Sequence, residues 1–185
     1  MADAGRADAL FEELLLAQSS KSLPPVAQWH PERSGSIDIR IARDGIWFHE
    51  GSEIKRTAMV KLFSTILRRD DGEYFLVTPA EKLAIEVEDV PFAGIAVACN
   101  GSGAGQRLLF TTNVDEHVLA DAEHPIEVRD RDGEPAPYLH VRSDLWALLT
   151  RNVFYELVEM AEPHANDPSR LGVTSCGEWF ELGKV

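Results

Sequence analysis

Residues 37–49 read Ile-Asp-Ile-Arg-Ile-Ala-Arg-Asp-Gly-Ile-Trp-Phe-His. Apolar and polar side chains alternate over residues 37–41, which is the period of a strand with one buried face. Asp44-Gly45 is a dipeptide typical of tight hairpin turns, and the run after it can return as a second strand. This stretch therefore predicts a β-hairpin at the start of the folded part of the chain.

A helix is predicted to follow the hairpin. Its apolar residues have the i, i+3, i+4, i+7, i+8 spacing that gives a helix one buried face. They are Met59, Leu62, Phe63, Ile66 and Leu67. Thr57 is a residue type that caps helix starts, and Asp71-Gly72 is expected to end the helix. Residues 74–77 and 83–87 are rich in strand-forming types and predict two strands after it.

The second half of the chain repeats these landmarks in the same order. They lie at residues 126–129, Asp132-Gly133, 138–141, a helix from Ser143 through apolar positions 145, 148, 149, 153, 157 and 160, and 177–180. The sequence therefore predicts an α+β fold of two tandem related units, each with a strand, an Asp-Gly turn, a strand, a helix and a strand. We expect the units to span residues 24–92 and 93–185.

Residues 1–23 precede the two units. Apolar residues at helical spacing, with acids between them, predict a short amphipathic helix over residues 7–18. The small polar residues and prolines of 19–25 indicate a linker. The apolar face of such a helix could dock on the folded core or on a protein partner.

The composition excludes several classes of function. The 185 residues carry 31 Asp and Glu against 18 Lys and Arg, a formal net charge of −13. This charge repels polyanions, so a nucleic acid polymer is not expected as a partner. No window approaches the run of about 18 apolar residues that a membrane span needs. Cys99 and Cys176 are isolated and the start of the chain shows no export signal, so we expect a cytoplasmic protein.

The motifs of common active sites are missing from the sequence. The glycine-rich stretch 101–105 follows an apolar strand, but residues 106–112 read as a strand, whereas a dinucleotide fingerprint opens a helix. A hairpin loop is expected there. The six histidines lack metal-ligand spacing, and the carboxylates offer no distinguishable acid–base pair. We predict no catalytic residue, no metal site and no cofactor.

One run of cations stands out from the acidic background. Between Ile54 and Arg69 there are five cations and no acid: Lys55, Arg56, Lys61, Arg68 and Arg69. The free amides and the dipole at a helix start near Thr57 would also favour a phosphate or carboxylate. Alternatively, the cations are solvated or paired with nearby acids, as surface charges usually are.

Long ordered motifs over nearly the whole chain after the first helix resemble the bacterial domain-of-unknown-function family 1285. They are Pro24-Pro25-Val26, Trp29, Asp44-Gly45-x-Trp47-x-His49-x-Gly51, Leu62-Phe63-Ser64, Leu67-Arg68-Arg69, Gly72-x-Tyr74-x-Leu76-Val77-Thr78-Pro79, Glu81-Lys82, Val87-Glu88-Asp89, Pro91-Phe92, Thr112-Asn113, Pro137-Tyr138, Val141-Arg142, Arg151 and Tyr155-Glu156-Leu157-Val158. The resemblance implies a duplicated α+β core and a C-terminal unit similar in outline to pleckstrin-homology-like folds. It also implies a nucleotide-like ligand between the halves and a link to signalling. The chain departs from the family pattern at Glu53, Asp144 and Trp146, and Asp144 is expected to weaken an anion site beside Arg142.

Together these observations predict a ligand-binding or regulatory protein with an anion-accepting cleft between its halves. The residues predicted to hold the ligand are Arg56, Arg68, Lys82, Arg142 and Arg151, with Trp47, His49 and Tyr138 supplying stacking or hydrogen bonds. Arg56 and Arg142 are each predicted to precede a helix and to face a common seam. The alternatives are core-edge positions for Trp47 and Tyr138, a turn position for His49, and structural ion pairs across the duplication for Arg142 and Arg151. An enzyme acting on a nucleotide and a protein-interaction module are the competing functions.

Overall fold

Short antiparallel meanders of three strands make up most of this computed structural model, which describes Glu12 and residues 22–185. The first sheet contains β1 (Arg33–Ile41), β2 (Trp47–His49), β3 (Ser52–Glu53), β4 (Leu67–Asp70), β5 (Glu73–Val77) and β6 (Glu81–Val87). The second contains β7 (Phe92–Asn100), β8 (Arg107–Thr112), β9 (His117–Leu119), β10 (Ile126–Arg131), β11 (Glu134–Arg142) and β12 (Leu145–Leu149). The third contains β13 (Glu162–His164), β14 (Asp167–Ser175) and β15 (Glu178–Lys184). Helices α1 (Thr57–Thr65) and α2 (Arg151–Glu159) follow β3 and β12.

The two six-stranded sheets share one plan. Their strand orders are β3-β2-β1-β6-β5-β4 and β10-β11-β12-β7-β8-β9. In each sheet two meanders join through one parallel pair, in which the last strand lies beside the first, β6 beside β1 and β12 beside β7. The fold is therefore mostly β-sheet with two described helices, and it agrees with an α+β fold of two tandem units. The pleckstrin-homology-like outline of the C-terminal unit stays a prediction.

The hairpin predicted from residues 37–49 is confirmed. Ile39 pairs with His49 and Ile41 with Trp47 in antiparallel register. The alternation places Ile39 and Ile41 in the core, and Gly45 adopts the positive φ of 82° that the turn requires. A side chain at Gly45 would also meet the Asn113 amide, since a Cβ atom there would lie 2.6 Å from its Nδ2.

The first helix is shorter than predicted. It ends at Thr65, and Leu67 begins strand β4, where it is buried opposite Leu76. Asp71 and Gly72 form the β4–β5 hairpin turn with φ values of 51° and 89°, so they do not end the helix. Thr57 is the first helical residue, so the N-cap position is Arg56, whose side chain makes no cap hydrogen bond. Leu62, predicted to be on the buried face, is 62% exposed.

The second helix begins at Arg151, so its predicted start at Ser143 is wrong. Ser143 lies in the turn between β11 and β12 with φ 49°. Leu145, Ala147 and Leu149 are buried, and the residues between them are only partly buried. This period of two is that of a strand packed on one face. The helical spacing of the leucines, on which the predicted helix depended, is therefore not used in the fold.

The landmarks that predicted the duplication lie on comparable elements. The Asp-Gly hairpins β1–β2 and β10–β11 each precede a helix of nine residues, and each helix is followed by a three-stranded meander. The meanders that follow the two helices belong to different kinds of sheet. Strands β4–β6 complete the first six-stranded sheet, whereas β13–β15 form a separate three-stranded sheet.

One continuous hydrophobic core joins both halves and the third sheet. It contains Trp47 of the first sheet, Phe92 and Phe110 of the second, Leu157 of α2 and Phe180 of the third sheet. Burial of this apolar surface is the main favourable term that holds the halves together.

The predicted N-terminal amphipathic helix lies, apart from Glu12, outside the described residues. Glu12 forms an ion pair with Arg107 of β8. No helix among the described residues is both long enough and apolar enough to cross a membrane.

Candidate functional site

A cleft of about 930 Å³ opens where the two six-stranded sheets meet. We call it the seam cleft. Residues from both halves line it: 23–28 and 30 of the leading segment, Thr65, 67–71 of β4 and its turn, Lys82 of β6, and 142–145 of the β11–β12 turn. The seam cleft therefore lies along β4, the last strand of the first sheet.

Two of the predicted ligand-binding cations share one carboxylate on the first-half wall. Asp70 accepts Arg68 Nη2 at 2.9 Å and Lys82 Nζ at 2.7 Å. Burial by itself would raise the pKa of Asp70, but hydrogen bonds and positive charge from Lys82 and Arg68 outweigh it and lower that pKa. Lys82 Nζ also lies 3.9 Å from the ring centre of Phe75. The carboxylate thus holds both cations at the cleft wall.

Arg68 also fixes the leading segment. Its Nη1 donates hydrogen bonds to the carbonyl oxygens of Val26 at 3.0 Å and Trp29 at 2.8 Å. Because Nε and Nη2 both contact Asp70, most of the five donors of the guanidinium are in use. Arg68 therefore shapes one wall of the cleft and has little remaining capacity for a ligand.

Arg142 connects the second half to the first. Its Nη1 forms an ion pair with Glu116, and its Nη2 donates to the Ser64 carbonyl at 2.6 Å. The guanidinium also lies 5.1 Å from the ring centre of Phe92. Since Arg142 precedes a hairpin turn, the prediction that it precedes a helix is wrong. It reaches the seam as the second-half cation of the cleft.

Arg69 is the lining cation that the selection of ligand-binding residues left out. Its Nη1 pairs with Asp144 of the second half at 3.1 Å, and its guanidinium lies 5.3 Å from the ring centre of Tyr74. Its Nε is buried, and no described residue accepts a hydrogen bond from it. The signal for Arg69 was present, because it belongs to the cation run between Ile54 and Arg69.

The other predicted residues lie outside the cleft lining. Trp47 is 1% exposed and packs on Phe63 with ring centres 6.2 Å apart, as a core residue. Tyr138 is buried and donates its hydroxyl to Asp89 at 2.9 Å. Burial first, and then this hydrogen bond, raise the pKa of Tyr138. Arg56, Arg151 and His49 are exposed on other parts of the surface.

The cation run is divided among several places. Lys61 forms an ion pair with Asp115 of the second half, and Lys55 and Arg56 are exposed. The cleft reaches α1 at its last residue, Thr65, so the helix N-terminus does not contribute amides to it. Any anion site in the cleft would therefore depend on side chains of β4, β6 and the β11–β12 turn.

The chemistry of the seam cleft is that of charged hydrogen-bond donors. Its lining has four Lys and Arg side chains, three Asp side chains and one histidine. In the part of the chain that the structure describes, no three His, Cys, Asp or Glu side chains come together as a metal site. The Lys and Arg side chains of the lining are donors of the kind that carboxylates and phosphates accept.

Two family models cover most of the chain. One, described as "Domain of unknown function (DUF1285), N-terminal domain", matches residues 24–90, and the other, "Protein of unknown function (DUF1285), C-terminal domain", matches residues 91–182. No curated protein matches the chain.

Two solved structures resemble the whole chain or a large part of it. A DUF1285 family protein from Silicibacter pomeroyi DSS-3 is 44% identical, with a TM-score of 0.83 over 93% of this chain and 95% of that one. A DUF1285 family protein from Shewanella baltica OS155 is 28% identical, with a TM-score of 0.52 over 65% of this chain and 90% of that one.

Proposed function

The chain belongs to the DUF1285 family, and we propose that it is a cytoplasmic regulatory protein that binds an anionic, nucleotide-like small molecule in the seam cleft as part of signalling. The observation that supports this most is the meeting of Arg68 and Lys82 with Arg142 around one opening. Arg68 and Lys82 belong to the first half and Arg142 to the second, so a ligand bound between them would contact both halves.

The local charge favours an anion. The chain as a whole has a net charge of −13, yet the lining has four Lys and Arg side chains against three Asp side chains. This small positive excess, in a chain that is otherwise strongly acidic, favours an anion over a cation at the cleft. Phosphate groups in particular suit arginine and lysine donors.

Lys82 has the most donors left for a ligand. An ammonium group has three N–H donors, and the described hydrogen-bonding partner of Lys82 is Asp70. A phosphate bound at Lys82 could accept from these remaining donors while the Asp70 ion pair stays in place.

Isothermal calorimetry with inorganic phosphate, pyrophosphate and a panel of nucleotides tests the proposal. The variant Lys82→Met should weaken the binding of a hit by about 10- to 100-fold, since a charge-assisted hydrogen bond contributes roughly 1.5–3 kcal/mol. Lys55→Met is the matched control, because Lys55 is exposed outside the lining. Failure of every anion to bind, or an equal loss in the control, would refute the proposal.

A protein-interaction module is the second candidate function. Leu62 of α1 is 62% exposed and Tyr155 of α2 is 57% exposed, and large exposed apolar side chains are a feature of interaction surfaces. This candidate gains if no small anion binds. An enzyme acting on a nucleotide would instead convert a calorimetric hit into a product detectable by chromatography.

A further inference from the structure

Strand β4 leaves one edge of the first sheet open to the seam cleft. Among the described strands it pairs with β5 on one side and is the last in the strand order. Residues 67–71, which include all of β4, line the cleft. At about 3.3 Å per residue, its four residues present an edge roughly 13 Å long. An open strand edge is a template for pairing with another extended chain.

The register shows which backbone groups face that edge. Val77 N donates to Ile66 O at 2.9 Å, so Ile66 and Val77 form a hydrogen-bonded pair of the ladder. Hydrogen-bonded and non-hydrogen-bonded pairs alternate in antiparallel sheets. The Leu67–Leu76 and Arg69–Tyr74 pairs lie one and three positions beyond the Ile66–Val77 pair. By this alternation, both are non-hydrogen-bonded pairs. The N–H and C=O groups of Leu67 and Arg69 therefore point away from β5, toward the open edge.

The charges at this edge favour an acidic occupant. The four cations of the lining, Arg68, Arg69, Lys82 and Arg142, outnumber its three carboxylates, Asp70, Asp71 and Asp144. A second copy of β4 is a poor occupant, because antiparallel self-pairing would bring arginines of the two copies together, and like charges on facing strands are destabilising. An acidic partner would place carboxylates beside these cations instead.

We infer that the β4 edge binds an extended acidic peptide as an additional strand, with main-chain hydrogen bonds to Leu67 and Arg69. This mode of recognition derives affinity from the backbone and specificity from the alternating side chains. The inference goes beyond small-molecule binding, but the peptide carboxylates would use the cations that the proposed function assigns to the anion. A small anion in the seam cleft would then compete with the peptide, which gives the cleft a means of regulating a protein contact.

A capped, fluorescently labelled hexapeptide of alternating Val and Glu is the probe, and anisotropy reports its binding. Two N-methylated versions carry methyl groups on opposite alternate sets of amides. Because only every second amide of a strand faces its neighbour, one version should lose binding by at least about tenfold and the other should stay within about threefold. Equal effects of the two versions, or no binding of the unmethylated peptide, would overturn the inference.

The variants Arg69→Ala and Arg69→Pro separate charge from main-chain pairing. Both remove the cation, but only proline removes the N–H that points to the edge, and an edge strand tolerates proline at such a position. Peptide binding should be at least about fivefold weaker in Arg69→Pro than in Arg69→Ala, with circular dichroism unchanged. Equal binding in the two variants would contradict strand addition. Light scattering that showed a dimer dissociated by Arg69→Pro would instead identify a second copy as the occupant.

Inorganic phosphate, titrated into the same variants, distinguishes this inference from the proposed function. Equal phosphate binding in Arg69→Ala and Arg69→Pro shows that the cleft is intact in both. Peptide binding by the parent protein, with no binding of phosphate, pyrophosphate or any nucleotide of the panel, supports strand addition and removes the small-anion proposal. Binding of a small anion without binding of the peptide has the opposite consequence.

Discussion

Arg69 of β4 pairs with Asp144 of the β11–β12 turn at 3.1 Å, so the edge strand of the first sheet contacts a hairpin turn of the second. Arg142, two residues before Asp144, donates to the Ser64 carbonyl at the end of α1. Two polar contacts between the halves thus lie at the seam cleft, beside the continuous apolar core. A change in the cleft is therefore expected to affect both ligand binding and the contact between the halves.

Replacing Arg142 by methionine should destabilise the protein by about 1.5–3 kcal/mol, because Glu116 and the Ser64 carbonyl would lose a charged donor in a partly buried site. The side chains of Arg142 and Glu116 are 19% and 20% exposed. Lys61→Met is the control, since the Lys61–Asp115 pair also joins the halves but is 40% and 57% exposed. We expect less than about 1 kcal/mol there. Urea unfolding measures both variants, and equal losses would contradict this account.

Asn113 provides a second test of the contact between the halves. Its Oδ1 accepts Ala93 N at 3.0 Å and its Nδ2 donates to the Gly45 carbonyl at 3.0 Å, so one amide joins β7 to the first hairpin turn. Asn113→Ala leaves both backbone groups without this partner and should cost about 1–3 kcal/mol of unfolding free energy. A loss below about 0.5 kcal/mol in the same urea experiment would show that the link is not needed.

The sequence predicted best where one period and one turn motif agreed. Alternation over residues 37–41 and Asp44-Gly45 together indicated the β1–β2 hairpin, which the structure contains. The helix predicted from Ser143 failed because leucines at 145, 148 and 149 satisfy a helical spacing, whereas the pairing of β12 with β11 and β7 sets a period of two. Long-range pairing of this kind is not encoded in a local pattern.

The candidate site was only partly predictable for a related reason. Charge and residue type pointed to Arg68, Lys82 and Arg142, and these three line the cleft. Trp47 is a residue type that often stacks on ligands, but its position in the hairpin places its side chain on the buried face, in the core. Arg69 was in the cation run, yet its contact with Asp144, 75 positions along the chain, depends on how the two sheets pack.

The ion pairs of Asp70 should make the free energy of unfolding depend on pH in the acid range. Its folded-state pKa lies below the ordinary value of 3.8, because Lys82 and Arg68 outweigh the effect of burial. The stabilisation is therefore fully present above the unfolded pKa and is lost as the pH falls below about 3.8 through the lowered folded-state value. Urea unfolding from neutral pH to about pH 3 should show a shallower decline for Asp70→Asn than for the parent. Asp132→Asn, at an exposed turn, is the control, and an unchanged slope in Asp70→Asn would contradict the assignment.

Gly72 should be required for its backbone conformation alone. Its φ is +89°, and a Cβ atom built there has no neighbour within 4 Å. Gly72→Ala should therefore cost about 1 kcal/mol, the price of placing an alanine in the left-handed region. Gly105→Ala is the matched control, because Gly105 also has open space but no positive φ in that range. Thermal unfolding of both variants tests this, and a loss of equal size in Gly105→Ala would point to a cause other than φ.

Asp144 should limit the affinity of the seam cleft for anions. Its carboxylate lines the cleft, is 61% exposed and pairs with Arg69. Asp144→Asn removes a negative charge with little change in shape and leaves the Arg69 guanidinium free to meet a ligand. Phosphate binding should become about two- to fivefold tighter, which corresponds to roughly 0.4–1 kcal/mol and matches the usual strength of exposed charge interactions. Stability should change by less than about 1 kcal/mol for the same reason.

Raising the salt concentration from about 0.05 M to about 0.5 M should reduce this gain in phosphate affinity, because exposed charges are screened beyond the Debye length. Calorimetry at both salt concentrations measures the effect, with Asp132→Asn as a control outside the cleft lining. Phosphate affinity that stays the same, or rises equally in the control, would show that Asp144 does not oppose the ligand.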